Sequence, residues 1–439
     1  MSSNQRFKLF SDPVHGFISV PKNLIMDLIQ TPEVQRLRRI RQLGVGHLVF
    51  PGAEHTRFNH ALGAMALMQD ALTNLSEKGT PISPEERTAA LAAALLHDVG
   101  HGAFSHTLEH QLIDDFEHEK MSRAILLHLN EQLDGALDLA LAIFDDTYER
   151  PFFHQLVSSQ LDMDRLDYLR RDSFYTGVAE GEVGVQRLLK TMRVHPLAGG
   201  ADSEIMVEGK GIYAVENFLI SRRLMYWQVY MHKTVLAGDE VLRAILRRAA
   251  SHLDGPGSGP DWLYRGSRPL LFFLSHDIQA DQIGDEHIRR RYCQIDDTDL
   301  LFSAKQWMWQ DEDPVLADLS RRFINREFFR VTFLPREPSA PQIESWREQV
   351  ADWLVSDGLV SRKDAPAAAQ HYLTLGTSRH TAYDSHDEMI GILGRDGTAQ
   401  ELSEMADTAA ISELTQFVVK PYVCYPKPVD LDIDAVPAA

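Results

Sequence analysis

Two cysteines in 439 residues, Cys293 and Cys424, exclude a disulfide framework and any zinc site built on thiolates. They fit a reducing compartment, or simple burial as small apolar side chains. Long apolar runs are missing too. The longest, Ala89–Leu96, ends at His97-Asp98 and falls far short of the ~20 residues a membrane span needs. The stretch up to Pro13 holds no apolar signal core, so a cytoplasmic location and no membrane partner are expected. Basic charge is scarce: 44 Lys and Arg stand against 63 Asp and Glu, a net charge of −19. A broad nucleic-acid footprint is therefore absent, and a polyanionic ligand would need a local basic pocket within a negative field. What remains is an ordinary folded composition, 44% hydrophobic and 24% charged, without repeats or low-complexity tracts.

The length suggests two to three domains. The first 250 residues read as helices with clear stops. Thr31-Pro32-Glu33 caps a helix running to Gly44, and Ser83-Pro84-Glu85-Glu86 is a capping box ahead of an Ala/Leu-rich helix ending at Leu96. Further helices are predicted over about 57–77, 117–130, 137–144, 151–172, 185–193 and 214–253, with a short strand at Glu204–Val207. Residues 254–261, DGPGSGPD, read as a linker. Beyond it, strands are predicted at Phe328–Leu334, His371–Leu375, Met389–Leu393 and Phe417–Val423, and helices at about 299–309, 314–325, 341–357 and 400–415. The expectation is a mostly α fold: a helical catalytic domain over residues 1–253, then an α+β C-terminal region over 254–439 serving assembly or regulation.

Chemistry concentrates at His60, His97, Asp98 and Asp164. His97 and Asp98 end a buried helix, and adjacent helical residues point about 100° apart, so both can face one point only at a helix end or crevice. A glycine-rich stretch with His101 and His106 follows, then His118. Two imidazoles and two carboxylates can hold a divalent metal with positions left for water and substrate. A lone His-Asp pair at a helix end is more often a surface pair or cap; the surrounding polar cluster argues otherwise.

The blocks Arg57-Phe-Asn-His60, His97-Asp-Val-Gly-His101-Gly-Ala-Phe-Ser-His106, Glu117-His-Glu119 and Asp164-Arg-Leu-Asp-Tyr168 through Asp172 resemble the HD superfamily of metal phosphohydrolases. With Asp12-Pro-Val-His15-Gly16, Gln35 through Leu43, and Arg222 through Lys233, they are similar to its deoxynucleoside triphosphate triphosphohydrolases, typified by the mammalian enzyme joining a SAM to an HD domain. The match runs from about residue 8 to 235, and no SAM domain is expected ahead of it.

The resemblance implies an HD-domain helical core and a divalent metal held by His60, His97, Asp98 and Asp164. Mg, Mn, Fe, Ni, Co and Zn remain open. It implies that water attacks the α-phosphorus of a dNTP, releasing deoxynucleoside and triphosphate. His101, His106 and His118 match the family's second set of histidines, one of them the general acid; the sequence leaves open which. Arg57, Arg165 and Arg222 match phosphate contacts. Gln42 and Asp172 match residues that bond the 3′ hydroxyl, while Leu43 and Tyr230, with Tyr168 beside them, match those that crowd the 2′ position. Tyr226 stands where the mammalian enzyme has histidine.

Lys8, Gln35, Arg38 and Arg187 match positions that bind an effector nucleotide between subunits, and Lys210 is a further candidate for a phosphate contact. Gln30 stands where a guanine-reading aspartate is expected and Glu208 where an arginine is, so obligatory guanine activation is not expected. The implied partners are the dNTP, a nucleotide effector and further copies of the chain as a dimer or tetramer. The alternatives are another HD phosphohydrolase, acting on other nucleotides or single-stranded nucleic acid, and a nucleotide-sensing regulator with a residual HD site.

Overall fold

The computed structural model describes residues 7–109, 111–196, 203–380, 389–405 and 418–433. Its centre is a pair of packed helices, Arg57–Glu77 and Pro84–Leu96, against which Met163–Thr176 also lies. The second helix starts as its sequence dictates. Ser83 Oγ accepts from Glu86 N at 3.1 Å, and Glu86 Oε2 accepts from Ser83 N at 2.7 Å. Residues from Ala89 to Leu96 are all buried, so this helix is core on every side.

Several predicted helices are interrupted, and the interruptions shape the site. The predicted 151–172 helix is two, Phe152–Val157 and Met163–Thr176. Asp162 caps the second, accepting from Arg165 N at 2.6 Å and from Ser159 N at 2.9 Å. Asp164 thereby falls in a first helical turn. The predicted 214–253 helix is Ile212–Met225, a π turn at Tyr226–Tyr230, and Lys233–Ala250. Helix Val185–Thr191 stops early because Met192–Pro196 pairs antiparallel with Ser203–Glu208. The run from Thr31 keeps its cap but is α-helical only over Pro32–Arg36, then a 3-10 turn; Ile40 is extended, and the chain enters Arg41–Leu43 as an irregular wall.

An antiparallel hairpin, Phe7–Asp12 with Gly16–Pro21, was not anticipated. Gly391–Leu393 adds parallel to Ser203–Glu208, and Ala399–Glu401 adds to it. Val418–Tyr425 lies between Arg330–Phe333 and Thr374–His380, antiparallel to both. Helices Asp297–Trp307, Pro314–Ile324 and Ala340–Ser356 agree with the pattern; of the predicted 400–415 helix, Gln400 and Glu401 belong instead to the strand Ala399–Glu401, Leu402–Met405 is helical, and the remainder lies outside the described residues.

Residues 254–261 form turns, yet a continuous apolar core runs from Ile18 to Leu431. Arg36, 1% exposed, shows how closely the parts interlock: Nε donates to Ile295 O at 2.9 Å and Nη2 to His101 O at 2.7 Å. Among the described residues no helix is long and apolar enough to cross a membrane.

Candidate metal centre

Helix Pro84–Leu96 delivers His97 and Asp98 at its C-terminal end, Arg57–Glu77 delivers His60 from its first turn, and Met163–Thr176 delivers Asp164. One ligand atom from each of the four lies within 4.8 Å of the others. His60 Nε2 is 2.9 Å from Asp164 Oδ1 and 3.6 Å from Asp98 Oδ2; His97 Nε2 is 3.5 Å from Asp164 Oδ1 and 3.6 Å from Asp98 Oδ1.

The donor set fits a divalent cation. Both Nε2 atoms are buried with no hydrogen-bond partner, while both Nδ1 atoms are engaged. His97 Nδ1 donates to Ala94 O and His60 Nδ1 to Asp167 Oδ2, each at 2.8 Å. Those acceptors place the proton on Nδ1 and turn the Nε2 lone pairs inward, the tautomer a metal ligand requires. Charge agrees. Burial pulls both imidazoles down, but the carboxylates outweigh it: Asp164 and Asp167 hold His60 near about 10, and Asp98 and Asp164 hold His97 near about 9. Asp98 is buried and Asp164 half-buried, and two carboxylates this close demand positive charge, carried by protonated imidazoles or by a cation that displaces those protons.

Asp167 had not been singled out in the sequence. It is fully buried and accepts four hydrogen bonds: from His60, from His15 Nε2 at 2.6 Å, and from Arg171 Nε and Nη2 at 2.8 and 3.0 Å. Arg171 Nη1 continues to Asp12 at 2.8 Å. A Cβ on Gly63 would sit 2.0 Å from Asp167 Oδ1, so only glycine lets the 57–77 helix pass there. The signal was spacing: Asp167 is one turn from Asp164 and one turn from Arg171 on a single helix.

The histidines His101, His106 and His118 meet beside the metal set. The rings of His101 and His118 lie 3.7 Å apart, and His106 stands edge-on to both. Glu109, also missed from the sequence, joins two of them: His118 Nδ1 donates at 2.5 Å and His106 Nδ1 at 2.8 Å. Burial pulls His118 down, but Glu109 and Asp98 outweigh it and its pKa is raised; burial and the neighbouring Arg57 push His101 well below its usual value. Gly100 lets this loop close on the helix His118–Gln132, since a Cβ there would lie 2.3 Å from His118 O.

These groups open into a cleft of about 550 Å³. Asp98, Asp164, Arg57 and the three histidines line one part; Gln42, Leu43, Tyr168, Asp172, Tyr226 and Tyr230 line another. Asp172 is bound on both oxygens, by His55 Nε2 at 2.7 Å and Tyr230 Oη at 2.8 Å. Gln42 Oε1 has no partner. Arg57 Nη1 donates to Asp98 Oδ2 at 2.6 Å. Arg165 and Arg222 stand back from the cleft: Arg165 Nε donates to Ser159 O at 2.6 Å, and Arg222 Nη1 to Gln160 Oε1 at 3.1 Å.

The effector candidates form two groups. Lys8, Gln30, Gln35 and Arg38 line a pocket of about 780 Å³ near the hairpin, and Arg187 Nη2 donates to Lys210 O at 2.8 Å in the second.

A model of the HD domain matches residues 57–171, and a model of the HD-associated region matches residues 183–258. The uncharacterised protein YwfO of Bacillus subtilis is 35% identical over 416 residues, 91% of this chain and 88% of that protein. The deoxynucleoside triphosphate triphosphohydrolase SAMHD1 of Danio rerio is 28% identical over 299 residues, which span 58% of this chain and 47% of that longer protein. The crystal structure of a phosphohydrolase from Bacteroides thetaiotaomicron superposes with a TM-score of 0.85 at 40% identity, covering 96% of this chain and all of that one.

Proposed function

The chain belongs to the HD-domain phosphohydrolase family, and from that premise we propose that it is a dNTP triphosphohydrolase, releasing deoxynucleoside and intact triphosphate. The observation that carries this reading is the composition of one cleft. It joins Asp98 and Asp164, the carboxylates of the four-ligand metal set, and three histidines to a wall of Gln42, Leu43, Asp172 and Tyr230 suited to a deoxyribose. The likeness to a triphosphohydrolase over 299 residues supports it.

His60, His97, Asp98 and Asp164 would hold the divalent ion, which supplies Lewis-acid polarisation of a phosphoryl oxygen and a water of lowered pKa. The chain's own groups do the rest. Arg57, fixed by Asp98 and by Ser105 Oγ at 2.8 Å, presents a guanidinium to phosphate oxygens. Water adds to the α-phosphorus, the bond from phosphorus to the 5′ oxygen breaks, and that oxygen needs a proton. The pair His106 and His118 supplies it: Glu109 anchors both through Nδ1 and supports the imidazolium form of His118. Leu43 and the Tyr230 ring crowd the 2′ carbon, and Gln42 Oε1 accepts from the 3′ hydroxyl.

The test is a panel of four dNTPs and four NTPs with several divalent metals, read by anion-exchange chromatography. Triphosphate with deoxynucleoside is the expected outcome. Pyrophosphate, inorganic phosphate or equal use of ribonucleotides would favour another HD phosphohydrolase.

A further inference from the structure

We infer that Asp297, at the head of the helix Asp297–Trp307, is a positioning residue that ties the two walls of the cleft together, so that the histidine loop and the sugar wall move as one unit. The roles given to those walls rest on the function proposed above.

Asp297 is 2% exposed and lies outside both segments matched by the family models. Its Oδ1 accepts from Phe104 N at 2.7 Å, in the loop between His101 and His106. Its Oδ2 accepts from Arg41 N at 3.0 Å, immediately before Gln42 and Leu43. One carboxylate thus takes one N–H from each wall. Ser105 closes the ring from the other side. Its Oγ donates to Arg41 O at 2.9 Å and accepts from Arg57 Nε at 2.8 Å.

The loop needs such a hold. Phe104 and Ser105 both have φ of 54°, a left-handed conformation that costs L residues energy and persists only where the surroundings impose it. The chain leading to Asp297 lies along the same loop: Tyr292 Oη donates to Gly100 O at 2.9 Å, and Ile295 O shares Arg36 with His101 O.

The bland alternative is that Asp297 serves only its own helix. Asp296 already does that. It caps the helix by accepting from Thr298 N at 2.9 Å, and Asp299 Oδ2 returns a bond from Asp296 N at 2.9 Å. The Asp297 side chain is left for the two loops.

The test uses the full-length, metal-loaded protein. Asp297→Asn keeps the shape but cannot accept from two donors, because its –NH2 would face an N–H. Hydrogen exchange should accelerate together, at least about tenfold, at peptides covering Arg41–Leu43 and Phe104–His106. The rate ratio for dATP over ATP should fall, with roughly a ten- to hundredfold loss of kcat, while bound metal stays at the wild-type level. Asp299→Asn, which disturbs the same helix end, should leave both walls protected. If Asp297→Asn does not fold, Ser105→Ala cuts the other tie between the same walls and should shift both in the same direction. Release of one wall alone, unchanged exchange, or an equal effect of Asp299→Asn would overturn the inference. A wild type silent on every nucleotide, with both walls released together in the variant, would sink the triphosphohydrolase reading and leave the role of Asp297 standing.

Discussion

His60 and Asp167 are held at 2.8 Å by a carboxylate that is fully buried and saturated, since His15 and Arg171 occupy its remaining lone pairs. The imidazole therefore cannot rotate or exchange tautomers without breaking a network that reaches Asp12. Asp167→Asn should weaken metal binding about 10- to 100-fold while leaving the four ligands in place. Chelator competition measures it. Metal affinity equal to wild type in a folded variant would show that Asp167 serves only the fold.

Removing ligands should act differently. Asp164→Ala, or His97→Ala with Asp98→Ala, should abolish turnover and strip the ion while the helices stay packed, because core residues such as Leu95 and Leu96 are untouched. Elemental analysis of the purified variants checks this. Stoichiometric metal in the double variant would mean the ion sits elsewhere.

Of the proposed ligands only His97 and Asp98 stood out locally, at the end of a buried Ala/Leu helix amid further histidines; His60 and Asp164 lie far off in sequence and were assigned to the ion through the resemblance, and the fold brings one ligand atom of each of the four within 4.8 Å of the others. The groups that tune the set, Asp167 and Glu109, were not singled out, because it is the fold that brings His15 to the first and His106 and His118 to the second. The helix breaks at Ser158–Asp162 and Tyr226–Tyr230 were missed for a related reason. Helical periodicity continues through both, and it is the cap at Asp162 and the π turn that decide where Asp164 and Tyr230 point. The hairpin from Phe7 to Pro21 alternates only weakly, and it is fixed by the turn at Asp12–Gly16, where Asp12 Oδ1 accepts from Val14 N and His15 N at 2.9 Å.

Acid–base behaviour gives a prediction independent of catalysis. Burial, with the like charge of the neighbouring Asp296 adding to it, pushes the Asp297 carboxyl up to about 6, against its two backbone N–H bonds and the Arg41 guanidinium at 3.7 Å. A raised carboxyl favours the folded state below its unfolded pKa of about 3.8, and that contribution is lost as pH rises to about 6. Asparagine does not titrate. The stability of Asp297→Asn relative to wild type should therefore improve by up to about 3 kcal/mol between pH 4 and pH 7. Urea unfolding at the two pH values measures it. A pH-independent difference would mean that Asp297 titrates normally.

The sugar wall can be tested by bulk. Leu43→Ala opens space in the cleft that Tyr230 also lines, and wild type should prefer deoxynucleotides. The variant should narrow that preference roughly tenfold. Equal wild-type rates on dATP and ATP would remove the basis for assigning Leu43 and Tyr230 to the 2′ position.

The most exposed prediction concerns activation. Gln30 lines the pocket with Lys8, Gln35 and Arg38, and its Nε2 donates to Met26 O at 3.2 Å. A glutamine offers guanine one acceptor where a carboxylate offers two, and an unmatched pair of polar groups costs about 1–3 kcal/mol, roughly 5- to 150-fold in affinity. Glu208 adds to this. Its carboxylate is gripped by Arg193 and Lys210, with Lys78 at 3.8 Å, so these cations are already neutralised. A triphosphate arriving there would have to compete with an anion covalently fixed in place. Turnover should therefore appear on a single dNTP, such as dATP or dTTP, with no GTP or dGTP present. The measurement is turnover alone and then with added GTP, while light scattering follows the association of subunits. Silence on each single dNTP, relieved only by GTP, would show that the remaining basic residues bind guanine nucleotide despite Gln30 and Glu208. In that case Gln30→Asp should tighten the GTP response, whereas for a protein that needs no guanine nucleotide the same substitution should leave turnover on dATP unchanged.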